Sequence, residues 1–266
     1  MPDYLDHNGI RLAFERGKGQ SPGIMFLGGY ASDMSGTKAG FLAEQCARAG
    51  YSYLRFDYRG HGQSAGKFQD GCIGDWSEDA LAIFDHCTEG PQILVGSSMG
   101  GWIALKLALA RPKRVAGIVG IAAAPDFTED LVWDLLPPEK RLRMEQDGFL
   151  PGEGGMIYTH RLVTEGRGHL MLRAPIDVLC PLRLLHGQKD DAVPWRTSIK
   201  AAELAAAHDV RVTLIKDGDH RLNREQDLMA MWDAATELRA VSIAVNAKAE
   251  HDQAEADHQA DHRRGQ

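Results

Sequence analysis

The chain reads as an α/β protein, a mostly parallel central sheet flanked by helices, on three observations. From about Gly23 onward, short apolar runs alternate with helical patterns, the signature of strand–helix–strand units in a parallel sheet. The 266 residues are 44% hydrophobic, enough for one large core, since α/β chains of this length commonly form a single domain. Finally, Gly96-Ser97-Ser98-Met99-Gly100 lies between the β-rich run Pro91–Val95 and the helix-forming run Gly101–Ala110. That placement demands a sharp turn from a strand into a helix.

The elements follow in chain order. Gly23–Leu27 is the first strand of the alternation and runs into a Gly28-Gly29 loop. A helix is expected over 37–49, stopped by Gly50, because glycine adopts the left-handed conformation that ends helices. Tyr51–Phe56 is the next strand. A glycine-rich loop then leads to a helix with Asp75 as its cap, and Trp76, Ala80, Ile83, Phe84 and Cys87 share one face of it. Arg114–Ala122, Pro181–His186 and Val210–Ile215 are expected strands, and Asn223–Val241 is the last helix. The alternation breaks once, between about 126 and 175. An irregular insertion between two strands is where a lid over a site sits. Residues 1–246 are therefore expected to form one domain carrying that lid. The tail 247–266 alternates Ala, Asp, Glu, Gln and His without apolar periodicity and is expected to be disordered.

Composition narrows the function. A formal charge of −7 argues against nucleic acid, whose phosphates such a surface repels. The longest apolar stretch, 115–125, is too short for membrane insertion. Met1-Pro2-Asp3-Tyr4-Leu5-Asp6 has neither the basic nor the apolar region of a secretory signal. The four cysteines show no metal spacing and no disulfide-scaffold density, so reduced thiols and a cytoplasmic setting are expected. His251, His258 and His262 match no defined metal site. No phosphate loop, dinucleotide fingerprint or metal cluster is present, and no cofactor is implied. The oligomeric state is not legible.

The chemistry is concentrated at Ser98. G-x-S-x-G between strand and helix is a nucleophile elbow, which lifts the serine hydroxyl clear of the sheet. Such a serine needs a base, and the base an orienting acid, in the chain order Ser, Asp or Glu, His. Asp190 fits the acid, in Gly187-Gln188-Lys189-Asp190-Asp191-Ala192-Val193-Pro194 after a strand. Its neighbour Asp191 is the competitor, read as a loop carboxylate or a helix cap. His220 fits the base, just past the last strand. His61 precedes the serine and His186 precedes the acid, so both read as loop or core histidines bonded to backbone. The oxyanion donors are expected at the backbone N–H of Met99 and of Tyr30, in the loop after the early strand. Asp57 is read as a turn anchor, and Trp76 and Trp102 as packing residues.

Longer strings carry a resemblance. Arg55–Tyr58, Gly90–Ser98, Gly120–Ala124, Cys180–Gly187 and Asp219–Arg221 resemble the alpha/beta-hydrolase domain-containing protein ten group, within the alpha/beta-hydrolase superfamily, and the wider likeness covers 10–242. The resemblance implies an alpha/beta-hydrolase fold and palmitoyl-protein thioesterase or acyl-glucuronide esterase activity, with Ser98 as nucleophile, Asp190 as acid and His220 as base. Two departures stand out. The mitochondrial transit segment of the animal members has no counterpart, and Gly28 stands where the group has proline. The expected function is a serine hydrolase of carboxylic esters or thioesters, acting on a small molecule or an acylated protein. Leu135, Leu136, Met144, Phe149 and Leu150 are the candidate walls of an acyl pocket. The rivals are an acyltransferase or perhydrolase on the same three residues, or a non-catalytic receptor of the same fold. Labelling by a fluorophosphonate without ester turnover marks the receptor.

Overall fold

The chain opens with an antiparallel hairpin of β1 (Asp3–His7) and β2 (Ile10–Gly17), turned at Asn8-Gly9, both with positive φ. Asn-Gly is the pair that a two-residue hairpin turn favours. This hairpin lies upstream of the alternation read from Gly23. In the computed structural model, which describes residues 1–152 and 156–264 but not the side chains of 249–250 and 253–264, β3 (Gln20–Leu27), α1 (Thr37–Ala49), β4 (Tyr51–Phe56), α2 (Ile73–Cys87), β5 (Gln92–Ser97), α3 (Met99–Ala110) and β6 (Val115–Ile121) come next. The insertion carries α4 (Pro138–Asp147), β7 (Phe149–Pro151), β8 (Ile157–Thr159) and α5 (His160–Gly166). The frame resumes with β9 (Leu182–Gly187), α6 (Arg196–Leu204), β10 (Val210–Ile215) and α7 (Glu225–Arg264).

Eight strands form one sheet in the order β1-β2-β4-β3-β5-β6-β9-β10, parallel from β4 onward. Side chains alternate across it, as the pleat requires. Ile24, Phe26, Ile93 and Val95 join one core with α1 and α7, while Met25, Leu27 and Leu94 join the other with α2 and α3. Helix α3 is apolar on all sides because it is buried on nearly all sides. Gly50 caps α1 with φ 71°, as expected. Asp75 does not cap α2, which begins two residues earlier with Cys72 as N-cap. It sits in the first turn and pairs with Arg59 and Arg161, where a carboxylate also suits the helix dipole. Asp57 does anchor its turn, accepting from the N–H groups of Met34 at 2.7 Å and Gln63 at 2.8 Å. Trp76 and Trp102 are fully buried.

Two expectations change. The insertion is more regular than its mixed composition suggested, with two helices and a short hairpin after a wide helical turn, Thr128–Trp133. The last helix also continues past Val241 to Arg264, so the disorder expected from 247 onward gives way to helical backbone as far as 264. Ala, Lys, Glu and Gln have high intrinsic helix propensity, and a helix can form without the apolar face that was sought. Among the described residues, no helix is long and apolar enough to cross a membrane. All four cysteines are unpaired.

One buried carboxylate closes the base of the insertion. Asp126, at its start, accepts from the N–H groups of Met171 (2.7 Å) and Leu172 (2.8 Å) at its end, and from Arg173 at 3.2 Å. Burial pushes the Asp126 carboxyl up, against those donors. In Asp126→Asn an amide NH₂ replaces one acceptor and faces a buried N–H. The expected cost is about 2–3 kcal/mol, a fall in Tm of roughly 5–10 °C, measured by thermal unfolding. Proteolysis within 126–175 should accelerate, whereas Asp130→Asn, at an exposed pair, should leave both unchanged.

Candidate active site

Ser98 sits between β5 and α3 with φ 53° and ψ −118°, a conformation a side chain adopts only under constraint. Three backbone bonds supply the constraint. Ser98 N–H donates to Ile121 O at 2.9 Å, and Ser98 O accepts from Gly101 N at 2.9 Å and Ala124 N at 3.0 Å. The glycines around it answer to close backbone approach. A β-carbon on Gly96 would meet Gly100 O at 2.4 Å, and one on Gly100 would meet Leu27 O at 2.1 Å.

Asp190 and His220 reach the same rim from the ends of β9 and β10. Their loops are fastened together: Gln188 N–H donates to Ile215 O at 2.8 Å and Lys189 N–H to Gly218 O at 2.9 Å. Ser98 Oγ lies 3.2 Å from His220 Nε2, and His220 Nδ1 lies 2.8 Å from Asp190 Oδ2. The other Asp190 oxygen accepts from Ala192 N at 3.0 Å and Val193 N at 2.8 Å. Burial alone would raise the Asp190 carboxyl, but the bonds from His186, His220 and Val193 N–H outweigh it and hold the group well below the ordinary carboxylate range. The competitor Asp191 is exposed, and α6 begins at Arg196, too far on for it to cap. One bond of this cluster was not read from the sequence. His186 does bond a backbone carbonyl, Val193 O at 3.0 Å, but its Nε2 also lies 3.1 Å from Asp190 Oδ2. The signal was its place four residues before the acid, on the same strand exit.

Gly29 abuts the elbow, since a β-carbon there would lie 3.4 Å from Ser98 Cβ. The next residue, Tyr30, spans from the frame to the insertion. Its hydroxyl donates to Ile157 O, and its ring stacks on Tyr158 with centroids 5.5 Å apart. Burial pushes its phenol well above the usual range. Met99 opens α3, so its N–H has no acceptor within that helix.

Above Ser98 and His220 lies a cleft of about 880 Å³. Of the five candidate walls, Leu135, Leu136, Met144 and Leu150 line it; Phe149 does not. The alternation of β7 explains this: Leu150 turns inward, 6% exposed, and Phe149 turns out, 48% exposed. Phe127, Leu131, Val132, Met156 and Tyr158 add to the apolar lining. The charged part is mostly cationic: Lys38, Lys140, Arg143 and Arg221 against Asp33, in a chain of net charge −7. Burial lowers the Lys38 ammonium to about 8, with Asp219 raising it and Arg221 lowering it further. Among the described residues, no group of three or more His, Cys, Asp or Glu could hold a metal ion. His258 and His262 lie outside the described side chains.

This fold, with a serine at the elbow, defines a serine hydrolase of the α/β-hydrolase class. The family model of serine aminopeptidase S33 matches residues 20–146. Palmitoyl-protein thioesterase ABHD10 of Bos taurus, a mitochondrial protein by name, is 44% identical over 226 residues, covering 83% of this chain and 74% of the bovine one. Mouse alpha/beta hydrolase domain-containing protein 10 superposes with a TM-score of 0.83 at 37% identity, over 93% of this chain and 99% of that one. A putative hydrolase from Agrobacterium vitis S4 gives 0.83 at 39% identity, over 90% and 98%. The chain belongs to the ABHD10 family. The cytoplasmic setting expected from the cysteines is corrected by these comparisons, since the bovine, mouse and human relatives are all mitochondrial by name. Unpaired thiols fit any reducing compartment and cannot single out the cytosol.

Gly100→Ala should lower Tm by more than about 5 °C, because its β-carbon would meet rigid backbone. Gly17→Ala, which has open space around it, should not move Tm measurably in the same scan.

Proposed function

We propose that Ser98 is the nucleophile, His220 the general base and Asp190 the orienting acid in the hydrolysis of acyl esters and thioesters whose chain lies in the apolar cleft. The observation that carries this reading is the bonded run from Ser98 Oγ and His220, which line the floor of that cleft, to Asp190 buried behind them. His220 takes the Ser98 proton as Oγ bonds to the acyl carbon, and the carbonyl electrons move onto oxygen. The backbone N–H groups of Tyr30 and Met99 receive that oxyanion, a donor of this kind being worth about 3 kcal/mol of barrier. The C–S or C–O bond then breaks, and His220 returns its proton to the leaving thiol or alcohol. Water, deprotonated by the same imidazole, attacks the acyl-enzyme and releases the acid. Asp190 fixes the imidazole tautomer and stabilises its cation throughout.

The apolar walls from Phe127 to Tyr158 favour a long chain, in keeping with the palmitoyl thioesterase name of the relatives. Ser98→Ala should lower turnover about a millionfold with an unchanged fold. Across p-nitrophenyl esters and acyl thioesters of graded length, kcat/KM should rise from acetyl toward palmitoyl. A preference for acetyl rejects the long-chain assignment and leaves the hydrolase standing.

The cationic part of the lining favours a second substrate class, acyl glucuronides, whose sugar carries a carboxylate. Lys38 is charged below about pH 8 and neutral above it. The KM for an acyl glucuronide should therefore rise between about pH 7 and 9, while that for an uncharged ester stays level. Lys38→Gln should remove the difference. Parallel KM profiles for the two substrates in the parent protein would count against a carboxylate-binding role for this lysine.

A further inference from the structure

We propose that His186 and Ser198 are positioning residues for Asp190, forming behind its carboxylate a buried hydroxyl–imidazole pair that mirrors the Ser98–His220 pair in front. The inference rests on the reading of Ser98, His220 and Asp190 given above. His186 is 0% exposed and Ser198 1%. His186 Nε2 faces two groups that can only accept, Asp190 Oδ2 at 3.1 Å and Val193 O at 3.0 Å. The ring proton must therefore sit on Nε2. In the neutral ring Nδ1 is then an acceptor, and the Ser198 hydroxyl, 2.7 Å away, donates to it. A continuous run results, in which Ser198 O–H donates to His186, His186 N–H and His220 N–H both donate to Asp190 Oδ2, and Ser98 O–H donates to His220 Nε2.

Two consequences follow from the count of bonds. Asp190 accepts four hydrogen bonds, two at each oxygen, which is about its full capacity, so the carboxylate cannot rotate without breaking several of them. An Oδ2 already engaged by His186 is also a weaker base toward the His220 Nδ1 proton. When Ser98 gives up its proton, the charge stays on the His220 imidazolium and Asp190 remains ionised. Neither His186 nor Ser198 touches substrate; Ser198 anchors the arrangement to the first turn of α6.

The test uses the full chain with a p-nitrophenyl ester, counting active sites by fluorophosphonate titration so that misfolded protein drops out of kcat. His186→Leu, which removes the donor, should lower kcat per titrated site about 10–100-fold, the size of effect known for removing the hydrogen-bond partner that orients a metal-ligating side chain, with KM unchanged. His186→Gln, whose amide N–H can reach Oδ2, should recover most of the loss. Ser198→Ala should cause a smaller loss, and none when added to His186→Gln, because the tautomer lock no longer applies. A His186→Leu protein with parental kcat per site would overturn the proposal, whatever its Tm. Should that variant not fold, Ser198→Ala with parental kcat in the otherwise native chain overturns it instead. Full turnover by Ser98→Ala would reject the underlying site reading, a result separable from either of these.

Discussion

The site depends on one strained residue. Ser98 holds a positive φ that costs of order 1–3 kcal/mol for a residue with a side chain, and it persists because the surrounding backbone leaves no alternative. The bonds to Ile121 and Ala124 tie the elbow to β6 and its exit, and that from Gly101 ties it into the first turn of α3, while the glycines at 96 and 100 let β3, β5 and α3 approach within distances that a methyl group would forbid. This one turn puts the hydroxyl above the sheet and aims the first turn of a buried helix at the same point. The Asp190 and His220 loops, from strands on the far side of β6, only have to meet a hydroxyl that is already fixed.

The frame was largely legible because its signals are local. Strand runs such as Val210–Ile215 and the Gly50 cap depend on neighbours in sequence, and they recur at their expected positions. The antiparallel hairpin announces itself by Asn8-Gly9, yet lies outside the alternation that signals a parallel sheet. Ser98, Asp190 and His220 could be chosen from order and spacing because each follows the C-terminal end of a parallel strand, and those three side chains come together. His186 was harder to read. A histidine inside a strand looks like core, and only the folded loop brings Asp190 back over it.

The cleft was the least legible part, for a physical reason. Whether an apolar residue faces a cavity or a core depends on a half-turn of strand or helix, as Phe149 and Leu150 illustrate by pointing opposite ways. Its cations were not read at all. Lys38, Lys140, Arg143 and Arg221 come from α1, α4 and the His220 loop, and no spacing in the sequence connects them. The balance of apolar walls and positive lining suits an amphiphilic acyl compound better than either property alone would.

The insertion leaves and rejoins the frame at almost one point, where Asp126 grips the N–H groups of Met171 and Leu172. What lies between is also pinned to the frame: Tyr30 bonds Ile157 O, Asp75 pairs with Arg161, and Trp102 Nε1 donates to His169 O. A roof exchanged at this junction would therefore have to bring with it both the carboxylate at its stem and the frame side chains that its interior is fastened to.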